Sequence, residues 1–436
     1  MSLANDFNVF CENIRLDNRS DMDKTIGEIS KRLNKTYYNL DADEFTHMYI
    51  VGSVGRETAI KGSSDLDILF DLPREAFKRF DGYSSNGQSA LLQEVKDSIK
   101  KRYPKTDIRG DGQVVVIEFD KYTVELVPGF MNSDGSFTYP DTHDGGSWKK
   151  TDPFSEQNAC IKCDDASNGI FLDVCHIIRS WKNTVGVSIG GLLIDTLVYQ
   201  VFAENKNYSG KGYSDYLKIL SDVFWHFKNQ DKDREFWYAL GSNQKVYNKD
   251  NGAFVSKAKD AYKKISNLIN SDLSINVELI NLLGTDFPSS EEQKSYSYKY
   301  DRFAAVRGSD REQFIEELFP VDIRYRLRID CNVTQNGFRP RLLSEILREH
   351  KWLRRKKQLD FQIISTSCPK PYDIYWKIRN VGEIAKIKNM IRGEIRCTNN
   401  LHQKEHTDFY GPHYVECFLV KNNVCVARAR IDVPIE

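Results

Sequence analysis

The two aspartates of the segment Asp65-Leu-Asp67 do most to restrict how this chain can fold. They open an apolar run, residues 66–70, that is typical of a buried strand. Because strand side chains alternate, Asp65 and Asp67 lie on one face about 7 Å apart, and the apolar residues face the core. Two carboxylates on one face repel each other unless a cation sits between them. The segment therefore predicts a strand within a sheet that carries a cation-binding surface.

A turn suited to phosphate precedes this strand. Residues 48–51 predict another strand, which runs into Gly52-Ser53, and eleven residues separate Ser53 from Asp65. Gly52 lets the backbone approach a phosphate closely, and the hydroxyl and amide of Ser53 are donors for its oxygens. A lone Asp-x-Asp is more often a solvated turn, but the order strand, Gly-Ser, Asp-x-Asp favours a functional site.

A third acid comes from a predicted hairpin. The apolar runs 114–119 and 122–127 are separated by Asp120-Lys121, which fits a two-residue turn. Glu125 is then a lone acid in an apolar strand, and we take it as the third metal ligand and the general base. Glu118 on the partner strand and Asp120 at the turn are the alternatives.

Magnesium is the metal that these acids predict, with manganese as the alternative. Mg²⁺ prefers hard oxygen ligands and keeps water and substrate phosphate in its shell. Two ions about 3.5–4 Å apart, held by Asp65, Asp67 and Glu125, would activate an attacking hydroxyl and steady the departing pyrophosphate. The expected reaction is nucleotidyl transfer.

The composition excludes several classes of protein. Lys plus Arg equals Asp plus Glu at 62 each in 436 residues, so the bulk charge gives no support to a surface that coats nucleic acid. No apolar stretch approaches the ~18 residues of a membrane span, and no secretory signal begins the chain. Nine scattered cysteines do not form a disulfide framework. We expect a cytoplasmic protein with no membrane partner and no DNA or RNA template.

The chain is too long for one core, and we predict an α+β protein with three domains. Residues 1–156 form the nucleotidyltransferase core with helices that brace it, residues 157–358 a helical nucleotide-binding lobe, and residues 359–436 a small β-rich domain. The helical examples are Phe171–Lys182, Gly191–Glu204, Tyr213–Asn229, Ala253–Leu268 and Arg341–Lys357, the last ending in the basic run 354–357. The strands after residue 371 are Tyr372–Ile378, Tyr414–Val420 and Val424–Val433, with a turn at Asn422-Asn423.

These segments resemble the polymerase-beta-type nucleotidyltransferase superfamily. Within it, the sequence is similar to the cyclic GMP-AMP synthase and oligoadenylate synthase branch, including the bacterial cyclic-oligonucleotide synthases (CD-NTases) of phage defence. The resemblance covers about residues 45–330, although the third acid is Asp in many relatives and Glu here. The segments that carry it are 51–58 (VGSVGRET), 64–68 (SDLDI), 124–128 (VELVP) and 177–182 (IIRSWK).

The resemblance implies additional contacts with the nucleotide. In that family a basic residue on the first long helix of the helical lobe grips the triphosphate, and Arg179 is the matching position, with Lys182 one turn further on. Ser188 matches a serine that contacts phosphate. Nucleoside triphosphates, with ATP and GTP as the expected substrates, would be condensed into a cyclic di- or oligonucleotide that activates an effector protein in anti-phage signalling.

The C-terminal part, residues 375–434, resembles the small sensor domain (AGS_C type) appended to some bacterial members of the family. The resemblance implies a sensor ligand for this domain. His402, Glu405, His406 and His413 could present metal ligands there, but a hydrogen-bonded surface cluster is the simpler interpretation. Two other functions stay open: transfer of a nucleotide to an RNA end or a protein hydroxyl, and a catalytically weak nucleotide sensor.

Overall fold

The amino-terminal part of the chain forms a mixed sheet flanked by helices. The computed structural model describes residues 2–41, 45–63, 65–204, 206–269, 275–289, 312–335, 339–349, 352–388, 390–408 and 410–435. The elements of this part are α1 (Leu3–Asn13), α2 (Arg19–Tyr37), β1 (Met48–Ile50), α3 (Gly52–Gly55), β2 (Asp65–Asp71), α4 (Arg74–Asp81), α5 (Gly87–Arg102), β3 (Asp107–Asp111), β4 (Val114–Glu118), β5 (Thr123–Met131), β6 (Phe137–Asp141) and β7 (Ser147–Thr151).

The strand order makes β2 and β5 direct neighbours. The sheet runs β1-β2-β5-β4-β3, and β6 pairs with the far end of β5 and with β7. β2 and β5 are parallel, whereas β4 and β5 form an antiparallel hairpin. The amide of Phe119 donates to the carbonyl of Tyr122 at 3.1 Å, which closes the predicted two-residue turn.

One face of this sheet is the core of the domain. The inward side chains alternate along the strands and are fully buried, as the period of two requires; they are Leu66, Ile68, Val115, Ile117, Val124 and Leu126. Helices α2 and α5 cover them with Ile26, Ile29, Leu91 and Val95. Burial of each such side chain contributes about 1.5–3 kcal/mol, so the strands cannot slip by one residue without exposing this set. The opposite face is left for the site.

The middle of the chain is mainly helical, as the apolar spacing predicts. Its elements are α6 (Pro153–Ala166), α7 (Ile170–Val185), α8 (Gly191–Glu204), α9 (Tyr216–Lys228), β8 (Phe236–Tyr238), β9 (Lys245–Tyr247), α10 (Ala253–Ile269), α11 (Ile275–Leu283) and α12 (Ile315–Leu318). Helix α1 packs into this lobe, with the ring of Phe7 5.7 Å from that of Tyr216. We expected both amino-terminal helices to brace the core, and only α2 does so, because the apolar face of α1 matches the helical lobe.

The C-terminal part consists of two four-stranded sheets packed face to face. Its elements are β10 (Leu327–Thr334), β11 (Arg341–Leu342), α13 (Leu343–Arg348), β12 (Gln358–Thr366), β13 (Asp373–Arg379), α14 (Glu383–Ile387), β14 (Ile395–Cys397), β15 (His402–His406), β16 (Gly411–Lys421) and β17 (Val424–Ile435). The strand orders are β11-β10-β12-β15 and β14-β13-β16-β17. Their inner faces share one hydrophobic cluster that includes Phe361, Trp376 and Leu419.

The three strands predicted after residue 371 are present as β13, β16 and β17. Asn422 and Asn423 have φ angles of 51° and 61°, which is the left-handed pair that a tight hairpin turn needs.

The helix predicted over residues 341–357 was wrong. Of the described residues in this range, only 343–348 are helical. Leu353 is buried and bridges to Ile435, and Lys356 has a φ of 65°. Tertiary contacts with β17 hold this segment as a loop, so the basic run 354–357 is not a helix end. In addition, β10 pairs with β12, so the sheets begin at residue 327, upstream of the boundary that we expected at residue 359.

The helical lobe and the C-terminal sheets are joined by a buried arginine. The guanidinium of Arg326 donates to the carbonyl of Gly169 at 2.8 Å and to the hydroxyl of Tyr213 at 2.9 Å, and it pairs with Asp173. A buried guanidinium is tolerated only when its donors are satisfied, so this contact depends on both domains being in place.

Among the described helices, none combines the length and the apolar character that crossing a bilayer would take. All nine cysteines are free thiols, including Cys160, Cys163 and Cys175 in the helical lobe.

Candidate active site

The predicted acids meet on the exposed face of the sheet. In the parallel pairing of β2 with β5, Asp65 is opposite Thr123 and Asp67 is opposite Glu125. Neighbouring strands lie about 4.8 Å apart, so Asp67 and Glu125 are direct cross-strand neighbours. Asp65 is exposed, and Asp67 and Glu125 are half-buried. Three carboxylates therefore share one small area that solvent reaches.

The Gly-Ser turn is pressed against this acidic group. Gly52 has a φ of 61°, and a β-carbon at this position would lie 1.8 Å from Oδ2 of Asp67. The amide of Val51 also donates to the carbonyl of Asp67 at 3.0 Å. Only glycine allows such a close approach at a left-handed φ. The turn thus lies directly beside Asp67, and Ser53 follows Gly52 at the start of α3.

The electrostatics of the three acids indicate a site for cations. The pKa of Asp67 is raised, mainly by burial. The nearby charge of Arg56 opposes this shift, and the charge of Asp65 adds to it. Burial also raises the pKa of Glu125, and Asp67 and Asp65 add to it. These carboxylates cost stability when ionised without a counterion, so a divalent cation between them would offset the repulsion.

The two alternative acids are less suited to this role. Glu118 accepts hydrogen bonds from Arg109 at 2.8 Å and from Thr123 at 2.7 Å, and these bonds lower its pKa. Asp120 is exposed at the hairpin turn, beyond the end of the strand. Glu125 remains the acid that lies next to Asp67.

The donor set fits magnesium by chemistry. In the described part of the chain, no three His, Cys, Asp or Glu side chains are already arranged to hold one ion. Asp65, Asp67 and Glu125 thus lie at neighbouring strand positions without forming a closed cage. An open set is what Mg²⁺ tolerates, because it usually keeps several waters and substrate oxygens.

Arg179, the predicted triphosphate ligand, is used elsewhere. Its guanidinium donates to both oxygens of Asp195, at 2.5 and 2.9 Å, and to the carbonyls of Cys175 and Gly191. The side chain is buried, so a phosphate does not reach it in this structure. In this arrangement Arg179 pairs with Asp195, one helix further along the chain, and its role as a triphosphate ligand stays a prediction.

A second predicted cation, Lys182, interacts electrostatically with the acids. It lies one turn after Arg179 on α7 and is half-exposed. Burial and Arg179 lower the pKa of Lys182, whereas Asp65 raises it, so this lysine is within electrostatic reach of the acidic face. Ser188 is exposed in the loop between α7 and α8.

A buried charge network behind the turn was missed by the sequence reasoning. Arg56, at the end of α3, donates to Asp195 at 2.9 Å and to Glu156 at 3.2 Å, and the hydroxyl of Thr58 donates to Asp195 at 2.9 Å. Asp195 is therefore shared by Arg56 and Arg179. The available signal was Asp195 itself, a lone acid within the apolar helix α8. This network fixes the Gly-Ser turn to the helical lobe.

The candidate metal ligands of the C-terminal domain already have other partners. Glu405 pairs with Arg392 at 2.6 Å, the ring of His402 contacts Asp360, and His413 accepts from the amide of Val381. Glu405, His406 and His413 line one cavity of this domain. In the described part of the chain they do not form a group of three ligands around one point.

Comparisons with known proteins agree with this fold. Residues 1–164 match the Second Messenger Oligonucleotide or Dinucleotide Synthetase domain (SMODS), and residues 309–436 match the Adenylyl/Guanylyl and SMODS C-terminal sensor domain (AGS_C). A probable cyclic nucleotide synthase from Bacillus cereus strain VD146 is 23% identical over an alignment of 200 residues. The alignment covers 38% of this chain and 60% of that protein. The chain thus spans less than two thirds of this curated relative.

A solved structure has the same fold over much of the chain. CdnC from E. coli MS115-1, solved with ATP, is 14% identical and has a TM-score of 0.50, with 65% of this chain and 98% of that chain covered. At this level of identity the likeness concerns the fold alone.

The mixed sheet with its acidic face and Gly-Ser turn, and the helical lobe beside it, define a polymerase-beta-like nucleotidyltransferase fold. Within this fold, the amino-terminal residues 1–164 match the SMODS domain and residues 309–436 match the AGS_C domain.

Proposed function

We propose that this protein joins nucleoside triphosphates into a cyclic di- or oligonucleotide and releases pyrophosphate. The observation that carries the proposal is the row of Asp65, Asp67 and Glu125 on adjacent strands, beside the Gly52-Ser53 turn. The match of residues 1–164 to the SMODS domain and the likeness to a probable cyclic nucleotide synthase support cyclic nucleotide synthesis as the class of reaction.

Magnesium, or manganese in its place, is the proposed cofactor, with two ions per site. Asp65, Asp67 and Glu125 would hold these ions. When bound, such a pair lowers the pKa of an attacking hydroxyl and neutralises charge on the triphosphate and the leaving pyrophosphate. The raised pKa values of Asp67 and Glu125 are consistent with a site built for cations.

Other side chains would bind the phosphates, and Glu125 would accept a proton. The amide and hydroxyl of Ser53, and the open backbone at Gly52, would cradle the phosphates, and Lys182 would neutralise the tail from the helical lobe. Ser188 is a second phosphate contact by resemblance. Glu125, whose pKa is raised by burial, would receive the proton of the attacking ribose hydroxyl. Positioning and charge neutralisation would supply most of the acceleration.

The biological setting follows from the family alone. We propose ATP and GTP as substrates, a cytoplasmic reaction, and an anti-phage signal in which the product activates a separate effector protein. The AGS_C domain would sense a ligand that controls synthesis.

The product test separates this function from its alternatives. The full-length protein is incubated with the four ribonucleoside triphosphates and Mg²⁺, and the products are identified by mass spectrometry after phosphatase treatment. A phosphatase-resistant cyclic product is expected, and it should vanish in the Asp65→Ala, Asp67→Ala double variant while circular dichroism stays unchanged. Turnover only after an RNA or a protein acceptor is added would favour transfer to that acceptor, and near-normal synthesis by the double variant would refute the site.

A further inference from the structure

The outer face of the sheet β14-β13-β16-β17 carries a buried cluster of cations that the nucleotide reaction does not use. Lys377 on β13 is 2% exposed, and Arg379 two residues further on is also buried. The register places Glu416 opposite Lys377 and Tyr414 opposite Arg379. Buried lysines are rare unless they are paired, so this cluster needs anions.

One of these anions comes from outside the sheets. Glu312 lies in the segment that leads into α12, and its Oε1 is 2.8 Å from Nζ of Lys377. Its Oε2 is 3.3 Å from Nε of Arg379, and the hydroxyl of Tyr414 donates to the same carboxylate. An ammonium, a guanidinium and a phenol thus converge on both oxygens of one carboxylate. This donor set recognises small oxyanions such as carboxylate and phosphate groups.

Burial alone would raise the pKa of Glu312, but the hydrogen bonds from Lys377 and Tyr414 hold it below its usual range. Glu312 is therefore bound as an anion at neutral pH. By contrast, Glu416, which is 2.9 Å from Lys377, belongs to the sheet itself. It would stay in place if the segment that carries Glu312 moved away.

The segment around Glu312 is held to the sheet by few backbone contacts. The amide of Gln313 donates to the carbonyl of Gly393 at 2.9 Å, and the side-chain oxygen of Gln313 accepts from the amide of Ile395 at 2.9 Å.

We propose that Lys377, Arg379 and Tyr414 form an oxyanion-binding site of the sensor domain, which Glu312 occupies as a built-in competitor. A ligand with a phosphate or carboxylate group would take the place of the Glu312 carboxylate. The inference depends on the sensor assignment of this domain and not on the nucleotide reaction.

Displacement of Glu312 would change the packing of the helical lobe. Helix α12 follows three residues later, and Ile315 at its start is 2% exposed in the hydrophobic core of the helical lobe. Glu316 on α12 also pairs with Arg428 of the sheet at 3.5 Å. A shift of residues 312–316 would therefore alter the packing of the lobe that carries Lys182.

The test compares two substitutions that remove the same charge. Inorganic phosphate and acetate are titrated separately into the full-length protein by calorimetry, with a chelator present so that the active-site acids repel anions. Glu312→Gln removes the competing negative charge from the site, whereas Glu416→Gln leaves the Glu312 carboxylate in it. We expect Glu312→Gln to bind at least one of the two anions about tenfold more tightly than wild type, and Glu416→Gln to change affinity less than about threefold. Adding Lys377→Gln to Glu312→Gln should abolish the gain.

Equal affinity for wild type and Glu312→Gln, or an equal gain in both single variants, would overturn the proposal. A second measurement covers the case in which the variants do not fold. In the wild-type protein, saturating phosphate or acetate should increase amide hydrogen exchange at Gln313 and Ile395, because their hydrogen bonds depend on the bound segment. Unchanged exchange at both residues would also overturn it.

Discussion

A β-carbon at Gly52 would lie 1.8 Å from Oδ2 of Asp67, so the Gly52-Ser53 turn and Asp67 cannot be changed independently. The close approach explains why the two motifs occur together, eleven residues apart, in the sequence. It also provides a direct mutational test.

We expect Gly52→Ala to lower synthesis at least about a hundredfold, because Asp67 must move by more than an ångström to admit the methyl group. The control is Gly62→Ala, which has a similar φ of 74° but open space around it. That variant shares the backbone strain without the clash. Initial rates of product formation measure both, and equal rates would show that the Gly52 contact is not needed.

Glu125→Gln should lower the rate of synthesis by about 10²–10⁴ while the nucleotide affinity changes little. Burial, with help from Asp67 and Asp65, raises the pKa of Glu125 in the metal-free site, so binding of Mg²⁺ to the wild type should strengthen as pH rises through that raised value. Glu118→Gln on the neighbouring strand serves as the control and should cost less than about tenfold. A larger loss with Glu118→Gln would transfer the role of base to Glu118.

Asp67→Asn should abolish synthesis and yet stabilise the metal-free protein. Burial raises the pKa of Asp67 above 3.8, although Arg56 opposes the shift. The folded state thus holds this proton more tightly than the unfolded chain, and stability falls as pH rises from 3.8 through the raised pKa.

In chelator at pH 7, the Asp67→Asn variant should therefore melt higher than wild type, by on the order of 2 °C. The difference should shrink as the pH approaches 4, where the wild-type carboxyl is also protonated. Added Mg²⁺ should raise the melting temperature of the wild type more than that of the variant. A lower melting temperature of the variant in chelator would contradict the electrostatic argument.

Lys182→Gln should weaken nucleotide binding without loss of stability. The lysine is half-exposed and interacts electrostatically with Asp65, so its removal leaves no buried partner unpaired. A hydrogen bond from a charged group contributes about 1.5–3 kcal/mol, which corresponds to a rise in KM for the triphosphate of about tenfold or more. An unchanged KM would remove Lys182 from the site.

Asp195→Ala, in contrast to Lys182→Gln, should reduce the stability of the protein. It leaves the buried guanidiniums of Arg56 and Arg179 without their shared carboxylate and should reduce the free energy of unfolding by about 3–5 kcal/mol. The control is Asp286→Asn, which breaks an exposed pair with Lys61 and should cost less than about 1 kcal/mol. Denaturant titrations compare the two, and equal losses would mean that the buried network is not a structural element.

Local sequence was sufficient where a residue's role depends on the strand that carries it. The alternation around Asp65 and Asp67 predicts their common face, and the lone position of Glu125 in an apolar strand predicts that it points the same way. The positive φ values at Asn422 and Asn423 follow from residue type at a two-residue turn. In each case the period of two or the turn chemistry acts over a few residues.

Sequence reasoning missed contacts that a distant residue decides. Arg179 is a buried partner of Asp195, and a basic residue on a helix does not reveal which acid will meet it after the helices pack. The segment 341–357 has helical spacing, but its contact with Ile435 holds Leu353 in a loop.

The amino-acid sequence by itself determined the strands, their buried faces and the three carboxylates that line the opposite face. Only the tertiary structure decided that β2 lies directly beside β5. It also decided which cations lie near these acids, and that Glu312 pairs with Lys377 and Arg379 on the sheet β14-β13-β16-β17. The reason is physical: side-chain direction is set by neighbours along the chain, whereas charge pairing is set by whichever group is nearest after packing, at any separation in sequence.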